Sequence, residues 1–357
     1  MPPTLLRVVS AFLAAAVLAP LAFAQEEEGA KSAIQTVYEM SQSAETADDF
    51  DKMIEECRRL LETGLSRQNE AYVNRLAAWA YNRRGEARAE EAASVAAEGD
   101  TEAAARLDAQ ALEDFNASLK LDPSRWKGYH NRGVSYAMRG EFERALREFE
   151  QALRLNPTYA NAWFNRGEVH YELGQYAQAV ADYTTALRSN PQDAEVYTRR
   201  GHAYFKLGRY REALTDYSRA LDLKPQEALS HLHRGEACLA LGLWDRAARD
   251  YREAITLDES LGRAYQGAAW LMAACPDERY RHPDRAVNAA LKAIELAGDE
   301  ADYRYYDTLA AAYAAAGDFE KAQETIAAAI AQAPEDKAAD LRQRETLYQQ
   351  EQPYTIR

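Results

Sequence analysis

The side chains best suited to covalent chemistry lie in the stretch Cys275-Pro276-Asp277-Glu278-Arg279-Tyr280-Arg281-His282-Pro283, which brings a thiol and an imidazole close together in sequence. A Cys/His nucleophile needs a third group to orient its base, and none is identifiable there. A lengthened turn, with Arg281 tying it to the neighbouring helix, accounts for the same residues. His231 and His233 stand two positions apart, so on a helix their rings point in different directions and make a poor metal pair. The six histidines are otherwise scattered, and no Ser/His/Asp set, paired-carboxylate signature, phosphate-binding glycine loop or Cys/His cluster stands out. The three cysteines, Cys57, Cys238 and Cys275, are odd in number and too widely spaced for a disulfide framework or zinc site; at most one intrachain disulfide would form. The expectation is a protein without catalysis, metal or cofactor.

The elements carrying these side chains are helices, arranged with a fixed period. Gly133, Gly167, Gly201 and Gly235 recur every 34 residues, and so do Gly140, Gly174, Gly208 and Gly242. The same offset relates Tyr129, Trp163, Tyr197 and His231; Tyr136, His170, Tyr204 and Cys238; Ala145, Ala179, Ala213 and Ala247; Phe149, Tyr183, Tyr217 and Tyr251; and Ala152, Ala186, Ala220 and Ala254. In each unit an aromatic, a glycine and a second aromatic follow at spacings of four and three, one face of a first helix. The second glycine ends that helix. A second helix follows with Ala, aromatic and Ala at the same spacings, its small side chains facing the glycine so that the two backbones approach. Pro157, Pro191 and Pro225 stop the second helix, and Glu259 stands where a fourth proline would be. Cys238 occupies a position held by aromatics elsewhere, which predicts a buried thiol.

This pattern over residues 126–261 resembles four consecutive tetratricopeptide (TPR) repeats. Residues 303–336 resemble another, with Tyr306, Leu309, Ala310, Tyr313, Gly317, Ala322, Ile326, Ala329 and Pro334 in corresponding places. Residues 262–302 resemble a divergent repeat with a loop insertion at 275–283. Residues 68–125 read as an atypical repeat, with Tyr72, Leu76 and Trp79 on its first helix, Ala111, Phe115 and Ser118 on its second, and about 23 additional residues between, an extended or broken helical excursion over 86–108. Residues 25–67 read as a divergent helical pair, and 337–357 as a capping helix and tail. The expected fold is therefore all-α, with about six or seven helix pairs; the resemblance implies a right-handed α-α superhelix whose first helices line a concave groove for a segment of a partner protein.

Extrapolated one turn either side of the inward face, the groove would be lined by Lys127, His130 and Asn131; Asn161, Phe164, Asn165, Glu168 and Tyr171; Arg199, His202 and Phe205; and His233 and Glu236. Asparagines there would hold a peptide backbone, Arg199 a carboxylate, and Phe164, Tyr171 or Phe205 an apolar side chain. Some TPR domains clamp a C-terminal carboxylate; Asn165 and Arg199 match two places of that clamp, but His130, Val134 and Glu195 occupy the other three. An arginine precedes every repeat glycine, at Arg132, Arg166, Arg200 and Arg234, and pairing with acids such as Asp182, Asp216 and Asp250 explains it better than an anion-binding ladder.

A formal charge of −14 disfavours nucleic acid and anionic lipid as general partners. Residues 1–24 read as a signal peptide: Arg7 is the lone charge, Val8 to Ala19 is apolar except for Ser10, and Ala22-Phe23-Ala24 suits cleavage. The alternative is a retained N-terminal anchor. Past Gln25 no stretch is long and apolar enough to span a bilayer. These readings converge on an exported, periplasmic or secreted, non-catalytic scaffold or adaptor for a protein or peptide ligand. The alternatives are a self-assembling structural subunit and a non-catalytic accessory of an enzyme complex.

Overall fold

Why the chain pairs its helices is visible in a single repeat. Gly167 has no Cβ, and one placed there would stand 2.7 Å from the Tyr183 ring, so only glycine lets the two helices close to this distance. At the helix end, Gly174 takes φ +71°, donates to Tyr171 O and lets Gln175 N reach His170 O, closing the last turn in a Schellman motif. Ala179 and Ala186 are buried on either side of Tyr183. The proline after Asn190 then ends the second helix.

The computed structural model describes residues 28–356. Among them are seventeen α-helices, and the chain divides into two compact units, Met1–Asn190 and Pro191–Arg357. The first unit holds α1 (Glu28–Ser43), α2 (Ala47–Glu62), α3 (Arg67–Ala97), α4 (Thr101–Leu121), α5 (Trp126–Met138), α6 (Phe142–Leu155), α7 (Ala160–Glu172) and α8 (Tyr176–Ser189). The second holds α9 (Ala194–Lys206), α10 (Tyr210–Leu223), α11 (Ala228–Ala240), α12 (Trp244–Leu257), α13 (Gly262–Ala274), α14 (Pro283–Ala297), α15 (Tyr303–Ala315), α16 (Phe319–Gln332) and α17 (Glu335–Gln349). These form eight consecutive pairs and a terminal helix, more than the six or seven pairs expected. The proposed signal segment, 1–24, lies outside the described residues.

The second pair departs most from the sequence reading. Tyr72, Leu76 and Trp79 do lie on the first helix, α3, but ahead of its glycine contact: Tyr72 and Leu76 are buried with Ile34, Val37, Met53 and Cys57 of α1 and α2, and Trp79 meets Phe50 edge to face. The repeat signature is Tyr81-Asn82-Arg83-Arg84-Gly85, in which a Cβ on Gly85 would meet the Phe115 ring at 2.6 Å. Arg84 bonds Asp114 thirty residues on, where Arg166 bonds Asp182 sixteen residues on, so the insertion is fourteen residues. It is an unbroken lengthening of α3 and α4 around a turn at Gly99, φ +96°. Ala92 and Ala104 are buried along its arms.

The 275–283 loop is likewise structural, though not through Arg281. Arg281 pairs with Glu278 inside the loop. Tyr280 instead donates its hydroxyl to Asp245 of α12, while His282 N donates to Met272 O.

Candidate functional site

Each of the four regular repeats is locked by the arginine that precedes its glycine. Arg132 binds Glu148, Arg166 binds Asp182, Arg200 binds Asp216 and Arg234 binds Asp250, each through Nε and Nη2 between first and second helix. Each of the first three guanidiniums also lies over the aromatic three residues earlier, Arg166 at 4.6 Å from the Trp163 centroid. Arg84, Asp114 and Tyr81 repeat the device in the elongated pair. Two-pronged pairs of this kind fix geometry, and with every arginine engaged there is no anion ladder.

The residue after each glycine lies on the first-helix face: Glu86, Val134, Glu168, His202 and Glu236. In the N-terminal unit this face is closed. Glu86 is buried; its Oε1 accepts from Asn82 Nδ2 and Asn131 Nδ2, both at 2.8 Å, and its Oε2 accepts from Arg83. Asn165 Nδ2 lies 3.0 Å from His130 Nε2. With that amide donating, the imidazole carries its proton on Nδ1 and donates to Asn131 Oδ1 at 3.0 Å. A continuous relay, Asn165 to His130 to Asn131 to Glu86, thus crosses α7, α5 and α3. Burial drives the His130 pKa down to about 4, and burial raises that of Glu86 against the opposing pull of Arg83 and Asn131.

This corrects part of the expected groove. His130, Phe164 and Asn165 have no exposed surface, and Asn131 and Glu168 retain 4%. The glycine-permitted approach of the helices turns these side chains onto neighbouring elements: Phe164 packs against Tyr183, and Glu168 accepts the Tyr183 hydroxyl. They are interior residues and form no open wall. Lys127, Asn161 and Tyr171 keep partial exposure; Lys127 lies over the Trp126 ring and Tyr171 against Tyr176.

In the C-terminal unit the equivalent face is more open. The His202 ring stands 4.4 Å from that of His233, which stacks on Tyr217. His233 Nδ1 lies 3.1 Å from Glu236 Oε2, and Glu236 Oε1 accepts from Arg263 Nη2 at 2.7 Å. The side chains of His233, Glu236 and Arg263 are 13%, 28% and 42% exposed, so the row passes from interior to surface. Burial raises the Glu236 pKa, but His233 and Arg263 outweigh it and the net direction is down. His202 Nε2 is buried without a protein hydrogen-bond partner, and burial, followed by the neighbouring His233, drives its pKa well down. Arg199 lies 3.9 Å from Glu195, and Phe205 packs edge-on to Tyr210.

Sequence spacing missed Glu86, Asn82 and Arg263. The signal for the first two was present, since Tyr81-x-x-Arg84-Gly85 repeats Tyr129-x-x-Arg132-Gly133, but its offset is lengthened by the insertion. The thiols carry no reactive signature: burial pushes Cys57 up to about 12 and Cys238 to about 11, and raises Cys275. Among the described residues no group of three or more His, Cys, Asp or Glu is placed to hold a metal ion, and no helix is long and apolar enough to cross a membrane.

Paired helices with a glycine contact, an arginine lock and a recurring Schellman turn define an all-α helical-repeat protein. Profiles described as tetratricopeptide repeat match residues 130–194 and 194–227. Residues 130–227 are thus tetratricopeptide repeats, the described helices make the fold an all-α TPR solenoid in class, and such repeats serve as protein-interaction scaffolds. No curated protein matches it in sequence. Similar solved structures include YrrB, described as a TPR protein with an unusual peptide-binding site, at 23% identity, covering 53% of this chain and 94% of that one with a TM-score of 0.47. A tetratricopeptide repeat protein from Parabacteroides merdae is 19% identical, covering 74% and 98% with a TM-score of 0.48. Yeast Tom70 is 17% identical, covering 92% and 66% with a TM-score of 0.43.

Proposed function

We propose that the chain is a non-catalytic adaptor that captures a segment of a partner protein on the first-helix face of its C-terminal unit, around His233, Glu236 and Arg263. The observation that carries this is the graded exposure of that row, set against the closed relay at the equivalent positions of the N-terminal unit. A carboxylate and a guanidinium side by side, with an imidazole behind them, offer an acceptor and donors to an extended backbone or a polar side chain. Their mutual pairing keeps the face near neutral, which suits a peptide better than a polyanion. We further propose that the protein is exported, with residues 1–24 as its signal; N-terminal sequencing of the protein from its host would then begin at Gln25.

The test is affinity capture from the host with the chain as bait beside its His233→Ala/Arg263→Ala variant, followed by titration of the captured protein against both. The variant should lose at least tenfold in affinity while its circular dichroism is unchanged. Equal affinity would remove this face from the binding surface, and recovery of the chain alone, with size rising with concentration, would favour self-assembly.

A further inference from the structure

The first helices α5, α7, α9, α11 and α15 all end in the same turn, with Gly140, Gly174, Gly208, Gly242 and Gly317 at φ between +70° and +82°. Helix α13 does not. Cys275 stands after it in an extended conformation, φ −62° and ψ 133°, so the last carbonyls of α13 need donors from elsewhere. His282 N supplies Met272 O from the inserted loop, and Ile356 N supplies Ala274 O at 2.8 Å from the segment that follows α17.

That segment is turned back by the same device in strained form. Glu351 N donates to Tyr348 O and Gln352 N to Leu347 O, the Schellman pattern, but Glu351 occupies the left-handed position at φ +54°, the only residue other than glycine with positive φ among the described residues. Pro353 prevents the helix from continuing. The chain then runs to α13, where the Tyr354 ring lies 5.7 Å from Trp270. The Arg344 guanidinium sits 5.2 Å from the Trp270 centroid and 4.8 Å from that of Tyr354, held by Asp307 at 2.6 Å. Tyr354 and Ile356 stay half-exposed. Asp307 Oδ1, Arg344 Nε and Tyr348 Oη are buried here without protein hydrogen-bond partners.

We propose that residues 351–356 are an intramolecular ligand, and that the surface they cover, formed by Trp270, Arg344 and the carbonyl end of α13, is a recognition site for an extended segment of another protein carrying an aromatic residue followed two positions later by an aliphatic one. The tail shows the mode: an aromatic ring on the Trp270–Arg344 platform, and a backbone N–H two residues on closing Ala274 O. It is built to be displaced, because its entry turn is strained and its aromatic and aliphatic anchors are half-exposed. Such a tail lowers the apparent affinity of a competing segment by the fraction of molecules in which it is bound. Trp270 and Arg263 share α13, but the site uses no residue of the His233–Arg263 row, so the peptide titration with Trp270→Ala reads it apart from the capture with His233→Ala/Arg263→Ala.

The probe is a fluorescently labelled peptide of residues 351–357, titrated by anisotropy up to millimolar against the full chain and full-chain variants. Tyr354→Ala/Ile356→Ala, which releases the tail, should bind the peptide at least tenfold more tightly than the unaltered chain, and adding Trp270→Ala should abolish that binding. Glu351→Gly, which relieves the left-handed strain and secures the tail, should weaken binding about threefold and slow hydrogen exchange at the Ile356 amide. A folded, tail-released chain that binds no better than the unaltered one overturns the proposal, as does binding indifferent to Trp270→Ala. Should the double substitution unfold the protein, the Glu351→Gly exchange decides alone, and an unchanged Ile356 rate overturns the proposal.

Discussion

In the N-terminal unit, polar side chains on the first helices are consumed by one another. Asn165, His130, Asn131 and Glu86 form a buried chain in which each donor finds an acceptor. In the C-terminal unit the positions equivalent to Asn131 and Asn165 and to Glu86 and Glu168 include His233 and, one turn on, His202 and Glu236, and their row ends on the half-exposed Arg263. One repeat architecture thus builds a rigid polar spine in one region and a presentable polar face in the other. The change lies in few positions: Asn131 and Asn165 correspond to His233, and Glu86 and Glu168 to Glu236. Where amides and a carboxylate meet inside, burial makes their bonds obligatory; where a guanidinium reaches water, the pair becomes optional.

The largest contrast is expected at the two carboxylates. Glu86→Ala would strand Asn131, Asn82 and Arg83, a loss of about 3–5 kcal/mol as for other buried charge partners. Glu236→Ala removes a pair whose arginine is 42% exposed and should cost no more than about 1 kcal/mol. Urea unfolding of both variants, followed by helical signal, would break the distinction if the two losses were alike.

Next comes acid. The His130 pKa of about 4 in the folded protein lies below the roughly 6.5 of an unfolded histidine. The unfolded chain therefore takes up the proton first, so this contribution is fully present above about pH 6.5 and is lost as pH falls towards 4, by about 3 kcal/mol in all. His130→Gln should flatten the pH dependence of the urea midpoint in this window. His202 acts in the same direction, so some slope should survive in the variant.

The smallest effect sharpens the comparison through equivalent tyrosines. Tyr183 gives its hydroxyl to the buried Glu168, and Tyr183→Phe should cost about 1.5–3 kcal/mol, as for bonds to charged groups. The Tyr251 hydroxyl is buried without a protein partner, so Tyr251→Phe should be neutral or slightly stabilising. Thermal midpoints of the two variants, compared with the unaltered chain, read the difference directly.

Residue spacing alone revealed the helices, the period, the glycine contacts and the pairing of arginines with acids, because each depends on neighbours at a constant offset. The same regularity hid the second repeat: Tyr81, Arg84 and Gly85 carry the full signature, but fourteen inserted residues moved it off the period. Burial of the expected groove residues was decided by packing. His130 and Lys127 lie a single turn apart on α5, yet the first is sealed by Asn165 and Asn131 and the second reaches the surface over Trp126. Helical periodicity assigns a side chain to a face, whereas the approach of the next helix determines whether water reaches it. The return of Tyr354 and Ile356 to α13 was likewise settled only by the fold, since no local pattern connects an open helix end at Cys275 with a donor some eighty residues later.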